Sequence, residues 1–235
     1  MQTLIQTLQE WMHQLYGTFI VDENYMLLVE GFKNTFIITF GALLIGIGVG
    51  TTVAAVKFLA AENRALKPLV KLCDFYVTAI RGIPIVVLLL ICYFVVMKTS
   101  TGMVTCIVAF GINSGAYMAE IIRGGIDAVD HGQTEAARSL GMSRIQAMVS
   151  VVLPQAVKNI LPAIGNEMIA LLKETSVAGY VAVMDLTRGA NLIRNNTYDA
   201  FNPLMATAVI YLALVVIMTK MLGRLERRLR RSDGR

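Results

Sequence analysis

The chain has 235 residues, of which 56% are hydrophobic and only 16% are charged, and its formal net charge at pH 7 is +5. Its mean hydropathy is +0.63. Because soluble domains carry about 25% charged residues, this composition excludes an ordinary soluble domain and indicates a protein of the lipid bilayer. The helix-length apolar stretches described below predict that it is all-α.

The first 26 residues precede the apolar part of the chain. Six of their hydrophobic side chains recur at helical spacing: Leu4, Leu8, Trp11, Met12, Leu15 and Phe19. This pattern predicts an amphipathic helix in the outer membrane interface, and a mobile leader is the alternative. The chain does not open with the basic segment and small-residue cleavage site of a signal peptide, so we expect the helix to be retained.

Five stretches are long and apolar enough to cross a bilayer, which takes roughly 17 to 25 residues. They are residues 35–56, 75–97, 102–119, 154–184 and 203–219. The second contains Arg81 near its start, and the fourth contains Glu167, Lys173 and Glu174. We therefore expect a domain of five membrane-spanning helices over residues 27–228, followed by a basic tail, 229–235.

Small residues recur four apart on two of these spans, at Ala42, Gly46, Gly50 and Ala54 and at Gly111, Gly115 and Ala119. Such stripes predict close helix packing. Three cysteines, odd in number and far apart, lie in apolar surroundings at Cys73, Cys92 and Cys106. Packing, without metal or redox chemistry, is the predicted role of these cysteines.

Basic residues cluster in three segments, and short cytoplasmic loops retain such residues. The clusters are Lys57, Arg64, Lys67 and Lys71; Arg123, Arg138, Arg144 and Lys158; and Lys220, Arg224, Arg227, Arg228, Arg230, Arg231 and Arg235. We expect these segments inside and the N-terminus outside, so the net charge reflects topology and gives no reason to invoke nucleic acid. Between the last two spans, Asp185, Arg188, Arg194 and Asp199 are expected outside, either solvated or facing a partner protein.

The loop between spans three and four predicts two short helices joined by an obligate turn. Thr134 can cap the first helix and Gly141 can end it in a left-handed conformation. Ser143 and Gln146 have the spacing of a capping box that begins the second helix. Proline can open or bend a helix, and Pro84, Pro154 and Pro162 are candidates for both effects.

This loop resembles the EAA loop of ABC importer permeases: Glu135-Ala136-Ala137, three residues, Gly141, then Val151 and Leu153-Pro154. Residues 114–126, 81–84 and 165–176 are similar to motifs of the polar amino acid branch of that family. The resemblance covers roughly residues 30–228. Two positions depart from the branch, Ile83 where threonine is frequent and Asp130 where proline is frequent, and the first puts a substrate role for that turn in doubt.

The resemblance implies the MetI-like fold of type I ABC importer permeases, in a bacterial cytoplasmic membrane. Two permease chains, identical or closely paralogous, would form the pathway, two ATPases would bind ATP and Mg²⁺, and an external binding protein would deliver the solute. The EAA loop would be the coupling helix. The sequence contains no Gly-x-x-x-x-Gly-Lys-Ser/Thr phosphate loop, so we expect a transport subunit that is not an enzyme and has no cofactor or metal of its own.

Residue chemistry suits these roles. The loop offers charged groups to an ATPase at Glu135, Arg138 and Arg144, apolar contact at Ala136, Ala137, Leu140 and Met142, and a pivot at Gly141. In span four, Glu167 and Glu174 lie two helical turns apart and share a face. With Asn166 they are candidates to bind a substrate ammonium group or basic side chain.

Other interpretations remain open for individual residues. Glu174 could instead pair with Lys173 of a neighbouring helix. Arg81 could hold a substrate carboxylate or act as an interfacial anchor. The sequence lacks the ring of polar or charged pore residues that a channel needs and the inverted repeat that is typical of a secondary transporter. Within the family, the alternative is a related permease for another small solute, such as an anion.

Overall fold

The computed structural model describes residues 2–21, 23–61 and 63–231, and these residues are almost entirely helical. Ten α-helices follow in chain order. They are α1 (Gln2–Tyr16), α2 (Tyr25–Ala60), α3 (Lys67–Gly82), α4 (Ile85–Ile91), α5 (Gly102–Asp127), α6 (His131–Ser139), α7 (Arg144–Ala147), α8 (Leu153–Glu174), α9 (Leu186–Thr197) and α10 (Phe201–Arg231). Short π or 3₁₀ turns extend several of them.

Four helices are long and apolar enough to cross a membrane: Tyr25–Ala60, Gly102–Asp127, Arg144–Val181 and Phe201–Leu229. The helix Tyr25–Ala60 begins ten residues before the predicted span. Its early turns carry the exposed charged side chains of Glu30 and Lys33, which the uncharged predicted span left out. The helix Arg144–Val181 begins ten residues before Pro154, the predicted start of the fourth span, since α7 and a π turn continue directly into α8. The predicted boundary at residue 26 falls inside α2 and that at residue 229 inside α10.

The second predicted span is not one straight helix. Arg64–Gly82 and Ile85–Val96 meet at a bend of 110° and together make the fifth candidate span. Ile83 is extended at the bend (φ −97°, ψ 128°), as steric contact with a following proline requires. Pro84 then precedes the first turn of α4, which confirms that a proline begins a helix here.

The core lies between α2, α4, α5 and α8, where residues such as Ile38, Leu89, Phe110 and Leu171 are fully buried. Cys92 and Cys106 are buried in this core, and Cys73 packs against a smaller cluster, in agreement with the predicted packing role.

The stripe of small residues brings α2 and α5 into direct contact. A Cβ atom added at Gly46 would lie 2.7 Å from Ser114 Oγ, and one added at Gly111 would lie 2.7 Å from Ile45 Cβ. The predicted close packing of these spans is therefore confirmed. Its consequence is that Ser114, on the face of α5 next to Gly46, is fixed in position.

Residues 2–16 form the predicted N-terminal helix, although the side chains of Leu4 and Leu8 lie outside the described set. Trp11 Nε1 donates to Asn202 Oδ1 (3.1 Å), and Thr18 Oγ1 donates to Asp199 Oδ2 (2.9 Å). These bonds tie the N-terminal segment to the start of α10, which argues against a mobile leader.

Candidate functional site

Two carboxylates of α8 converge on neighbouring residues of α5. Ser114 Oγ donates to Glu167 Oε1 (3.0 Å), and Asn113 Nδ2 donates to Glu174 Oε2 (3.3 Å). Glu167 and Glu174 are partly buried, whereas Asn113 and Ser114 are buried. The seven-residue spacing places both carboxylates on one face of α8, as predicted.

Neither carboxylate of this pair forms an ion pair with a basic side chain in the part of the chain that the structure describes. Within the described chain, neither Glu167 nor Glu174 has a Lys or Arg nitrogen within 4.0 Å, and Lys173 is exposed. Because partly buried carboxylates without a counter-ion are costly inside a membrane, this site is suited to a cationic ligand. A pairing of Glu174 with Lys173 does not occur within one chain.

Asn166 does not join this pair. Asn166 and Glu167 are adjacent in sequence, so their side chains point about 100° apart around the axis of α8. Asn166 is exposed. The structure therefore brings together two of the three predicted residues of α8.

Arg81 lies at the end of α3, away from the two α8 carboxylates. Its guanidinium carbon is 5.2 Å from the centre of the Tyr117 ring, and its Nη1 is 3.8 Å from Glu120 Oε2. Arg123 binds the same Glu120 more closely, at 2.8 Å. Arg81 therefore has a weakly held, partly exposed guanidinium that stacks on an aromatic ring.

Lys57, Asp74, Arg81 and Glu120 line an open cleft of about 410 Å³ between α2, α3 and α5. Lys57 Nζ and Asp74 Oδ1 form an ion pair across it at 2.7 Å. The cleft contains two basic and two acidic side chains, so it is polar with a balanced charge. We call it the Arg81 cleft.

One face of α5 connects the carboxylate pair with the Arg81 cleft. Asn113, Tyr117 and Glu120 follow at i, i+4 and i+7 and lie on one side of the helix, next to Ser114. Seven residues of helix span about 10 Å. No individual role was predicted for these four residues, although Asn113 and Ser114 were a visible signal as adjacent polar residues in an uncharged span.

The loop before α8 forms the predicted elbow, with one change at its start. Asp130, not Thr134, caps α6: its Oδ1 accepts from the amide of Gly132 (2.7 Å). Gly141 ends the helix with φ +85°. The Gly141 amide donates to the Arg138 carbonyl (3.0 Å) and the Met142 amide to the Ala137 carbonyl (3.2 Å), which is the Schellman pattern.

The second helix of the elbow begins at the predicted capping box. The Gln146 amide donates to Ser143 Oγ (3.2 Å), and the Ser143 amide donates to Gln146 Oε1 (2.8 Å). Arg138 Nη1 also donates to the Met142 carbonyl (3.0 Å) across the turn. Both ends of the turn are thus fixed by hydrogen bonds, and the elbow is a rigid unit.

The predicted coupling residues divide between two sides of the elbow. Glu135, Ala136 and Leu140 are exposed, and Leu140 retains 84% of its accessible surface. Ala137 is only 4% exposed, so within one chain it is much less accessible than these three residues, and its contact with a partner stays a prediction. Arg144 packs inward, its guanidinium carbon 4.8 Å from the centre of the Phe58 ring.

Two acidic residues expected to be solvated outside are buried helix caps. Asp185 is fully buried and accepts from the amides of Thr187 and Arg188 (both 3.1 Å) at the start of α9. Burial raises the pKa of Asp185 to about 6, against the opposing effect of these hydrogen bonds.

Asp199 accepts from the amides of Phe201 and Asn202 at the start of α10 (both 3.1 Å). Although burial acts to raise its pKa, hydrogen bonds, beginning with that from the Asn202 side chain, lower it below the usual value. Arg188 is also engaged, since its Nη1 donates to the Gly179 carbonyl (2.9 Å). Of the four charged residues, Arg194 is left as the candidate for an external contact.

Comparison with known proteins places this arrangement in a family. Residues 46–231 match the family described as "Binding-protein-dependent transport system inner membrane component". The chain belongs to this family. The resemblance to ABC importer permeases, drawn from the elbow and its neighbouring motifs, is therefore confirmed, as is the role of a transport subunit.

Relatives and solved structures of this family are similar over most of their length. The chain is 36% identical over 209 residues to a putative glutamine transport system permease protein of Rickettsia bellii, covering 87% of this chain and 93% of the relative. It is 36% identical over 210 residues to the arginine transport system permease protein of Bacillus subtilis, with coverages of 88% and 94%.

A crystal structure of an amino acid ABC transporter with histidines aligns with a TM-score of 0.81 and 41% identity, over 88% of this chain and 95% of that one. The MetNI methionine ABC transporter in an inward-facing conformation aligns with a TM-score of 0.76 and 23% identity, over 87% and 97%. These alignments confirm the predicted MetI-like fold.

Proposed function

We propose that this inner membrane component forms the translocation pathway of an ATP-driven importer for polar L-amino acids. One observation carries the proposal: Glu167 and Glu174 converge on Asn113 and Ser114 without a basic partner within the described chain. The names of the relatives, which specify glutamine and arginine, support this class of cargo.

The carboxylate pair binds the positively charged group of the cargo. Ionised carboxylates form short, strong hydrogen bonds with ammonium and guanidinium donors, and partial burial strengthens that attraction. Either the α-ammonium group or a basic side chain satisfies this chemistry, so the pair favours amino acids over purely anionic solutes. Asn166 and Arg81 are the remaining candidates for polar contacts with the cargo.

The polar face of α5 then provides a route along the bundle. Cargo released from Glu167 and Glu174 meets Tyr117, and beyond it the Arg81 cleft with its balanced charges. A zwitterion carries one charge of each sign and matches such a cleft, where Arg81 is available to a carboxylate because its contact with Glu120 is long.

The elbow transmits the conformational change of a partner ATPase, which binds ATP and Mg²⁺, to the permease. Glu135, Ala136 and the exposed Leu140 form the contact surface, while Gly141 and Arg138 hold its shape. A large exposed apolar side chain on the same short helix segment as an exposed carboxylate is suited to a groove on another protein. A rigid elbow would pass movement of that groove into α8, which carries the carboxylate pair.

We further propose that the basic segments, the elbow and the C-terminus lie in the cytoplasm and the N-terminus lies outside. The outer surface then includes α9 and the segment before α10, where Arg194 and Tyr198 face an external binding protein. Tyr198 is 96% exposed. A second permease chain, identical or paralogous, completes the pathway.

The testing experiment is amino-acid-stimulated ATP hydrolysis by this chain reconstituted with its ATPase and its binding protein. Basic, amide and acidic amino acids are compared in parallel, with inorganic anions as the control for the alternative cargo. Stimulation by one amino acid class is the expected result and names the cargo. A demonstrably assembled complex that responds only to anions would overturn the proposal.

A further inference from the structure

A second cavity, which shares only Lys57 with the lining of the Arg81 cleft, lies behind the elbow. It encloses about 330 Å³ between the ends of α2 and α5, α6, and α7 with the turn that follows it. Its polar lining consists of Lys57, Arg123, Asp127, His131, Thr134 and Arg144. We call it the elbow cavity. Since α2 and α5 both end here, the cavity lies at one boundary of the membrane-spanning region.

The charge of the elbow cavity differs from that of the Arg81 cleft. Three basic side chains and one carboxylate line the cavity, an excess of two positive charges with His131 counted as neutral. The Arg81 cleft, by contrast, has two charges of each sign. Lys57 lines both, so Arg123 and Arg144 are the basic residues that distinguish the elbow cavity, whose lining is the more basic of the two.

Arg144 is the cation best placed to bind such an anion. Arg123 is already held by Glu120 at 2.8 Å and Asp127 at 3.0 Å. Lys57 is paired with Asp74, but an ammonium group has three donors, so Lys57 can assist in binding a second anion. Arg144 has no carboxylate within 4.0 Å among the described residues, and its guanidinium is held against the Phe58 ring. A planar guanidinium fixed on an aromatic ring retains donors along its edge and matches a phosphate group.

Apolar side chains surround Arg144, and several of them are exposed on the surface of the chain. Met148 and Val152, one and two turns after Arg144, line the cavity. Their neighbours Ile145, Val149 and Leu153 are exposed by 51%, 56% and 38% and recur four apart, so a continuous apolar stripe runs beside the cavity. A soluble anion needs no such stripe, but an acyl chain attached to a phosphate does.

We propose that the elbow cavity binds an anionic phospholipid, with its phosphate on Arg144 and Lys57 and an acyl chain along the exposed stripe. Basic pockets between transmembrane helices at the cytoplasmic surface are suited to such headgroups. The bound lipid would join the end of α2 to the start of α7, so it would hold the elbow in place. This placement rests on the proposed topology, but lipid binding does not depend on the identity of the transported solute.

The test is native mass spectrometry of the purified permease–ATPase complex titrated with phosphatidylglycerol or phosphatidylcholine of the same acyl chains. Arg144→Gln and Lys57→Gln each remove a cation from the cavity. Lys71→Gln removes an exposed cation of α3 that does not line it and is the matched control. Arg144→Lys tests whether charge alone is sufficient.

We expect the unmodified complex to prefer phosphatidylglycerol by at least about tenfold, since one good charge-assisted contact provides that discrimination. Arg144→Gln and Lys57→Gln should lower the preference severalfold, Lys71→Gln should leave it unchanged, and Arg144→Lys should retain part of it. Equal preference in all variants would overturn the proposal. The proposal would also be overturned if inorganic phosphate at millimolar concentration displaced the lipid, or if Arg144→Gln weakened the binding of phosphate as much as that of phosphatidylglycerol. In either case the site would serve a soluble anion.

Failure of this test is separable from failure of the transport proposal. The lipid titration contains no amino acid and no binding protein. A complex that binds phosphatidylglycerol as expected but shows no amino-acid-stimulated ATP hydrolysis would support only the lipid site.

Discussion

Gly50 provides the sharpest test of how α2 positions α5, whose Asn113 and Ser114 bind the carboxylate pair. A Cβ atom at Gly50 would meet the Met118 side chain and lie 2.8 Å from the amide nitrogen of Ala119. An ordinary contact is 3.4 to 4 Å, so α2 and α5 must separate by at least about 0.6 Å, the difference between 2.8 and 3.4 Å. Backbone atoms cannot rotate away, and Ser114 lies one helical turn from Met118.

Gly50→Ala should therefore lower the free energy of unfolding, since overpacking costs about 1 to 3 kcal/mol and the gain in helix propensity returns only about 0.5 to 1 kcal/mol. Gly48→Ala is the matched control. Gly48 lies on the same helix, and its added Cβ meets nothing within 4 Å. That variant should be neutral or stabilised by up to about 1 kcal/mol.

The assay is equilibrium unfolding of both variants in mixed detergent micelles, and their difference should equal the overpacking cost of about 1 to 3 kcal/mol. Cargo-stimulated ATP hydrolysis should also fall for Gly50→Ala, because α5 carries Asn113 and Ser114. Equal stability of the two variants would refute the close approach of α2 to α5.

Three further changes test the elbow and the Asp185 cap of α9. Gly141→Ala adds no steric contact but forces an L residue to φ +85°, so the free energy of unfolding should fall by about 1 to 2 kcal/mol. Gly132→Ala in α6 is the control and should lower the free energy of unfolding less. Similar losses in the two variants would contradict the left-handed turn. Leu140→Asp should abolish co-purification of the ATPase while the permease retains its thermal stability, with Leu140→Met as the control, and normal co-purification would remove Leu140 from the contact surface. Burial raises the pKa of Asp185 to about 6, so this carboxyl binds its proton more tightly in the folded protein than in the unfolded chain. The free energy of unfolding should therefore fall as pH rises from about 4 to 6, by on the order of 3 kcal/mol at most, and level off above that. Asp185→Asn should lose this pH dependence, and a variant with an unchanged pH profile of unfolding would contradict the burial of the carboxylate.

The spans and the elbow were predictable because local patterns determine them. An uncharged run of about 20 residues has few alternatives to a membrane helix, and Gly141, Ser143 and Gln146 act within a few residues of their own backbone. The bend at Ile83 also follows locally from Pro84, although hydropathy joins both sides of the bend into one span.

The polar site was predictable only in part, because its partners come from distant segments. Glu167 and Glu174 stand out as charges within a span, but Asn113 and Ser114 are neutral, and the hydrogen bonds to them cross 61 and 53 residues. Asp185 and Asp199 were misjudged for a similar reason. Their charge suggests solvent, whereas tertiary burial makes them helix caps.

The central claim is that Glu167 and Glu174 bind the cationic group of the cargo. The most direct measurement is the cargo concentration that gives half-maximal ATP hydrolysis in reconstituted complexes carrying Glu167→Gln or Glu174→Gln, with Glu226→Gln in α10 as the control. Charge-assisted hydrogen bonds contribute about 1.5 to 3 kcal/mol, so this concentration should rise roughly 10- to 100-fold in the first two variants and stay unchanged in the third. Unchanged values in all three variants, in assembled and ATP-hydrolysing complexes, would contradict the claim.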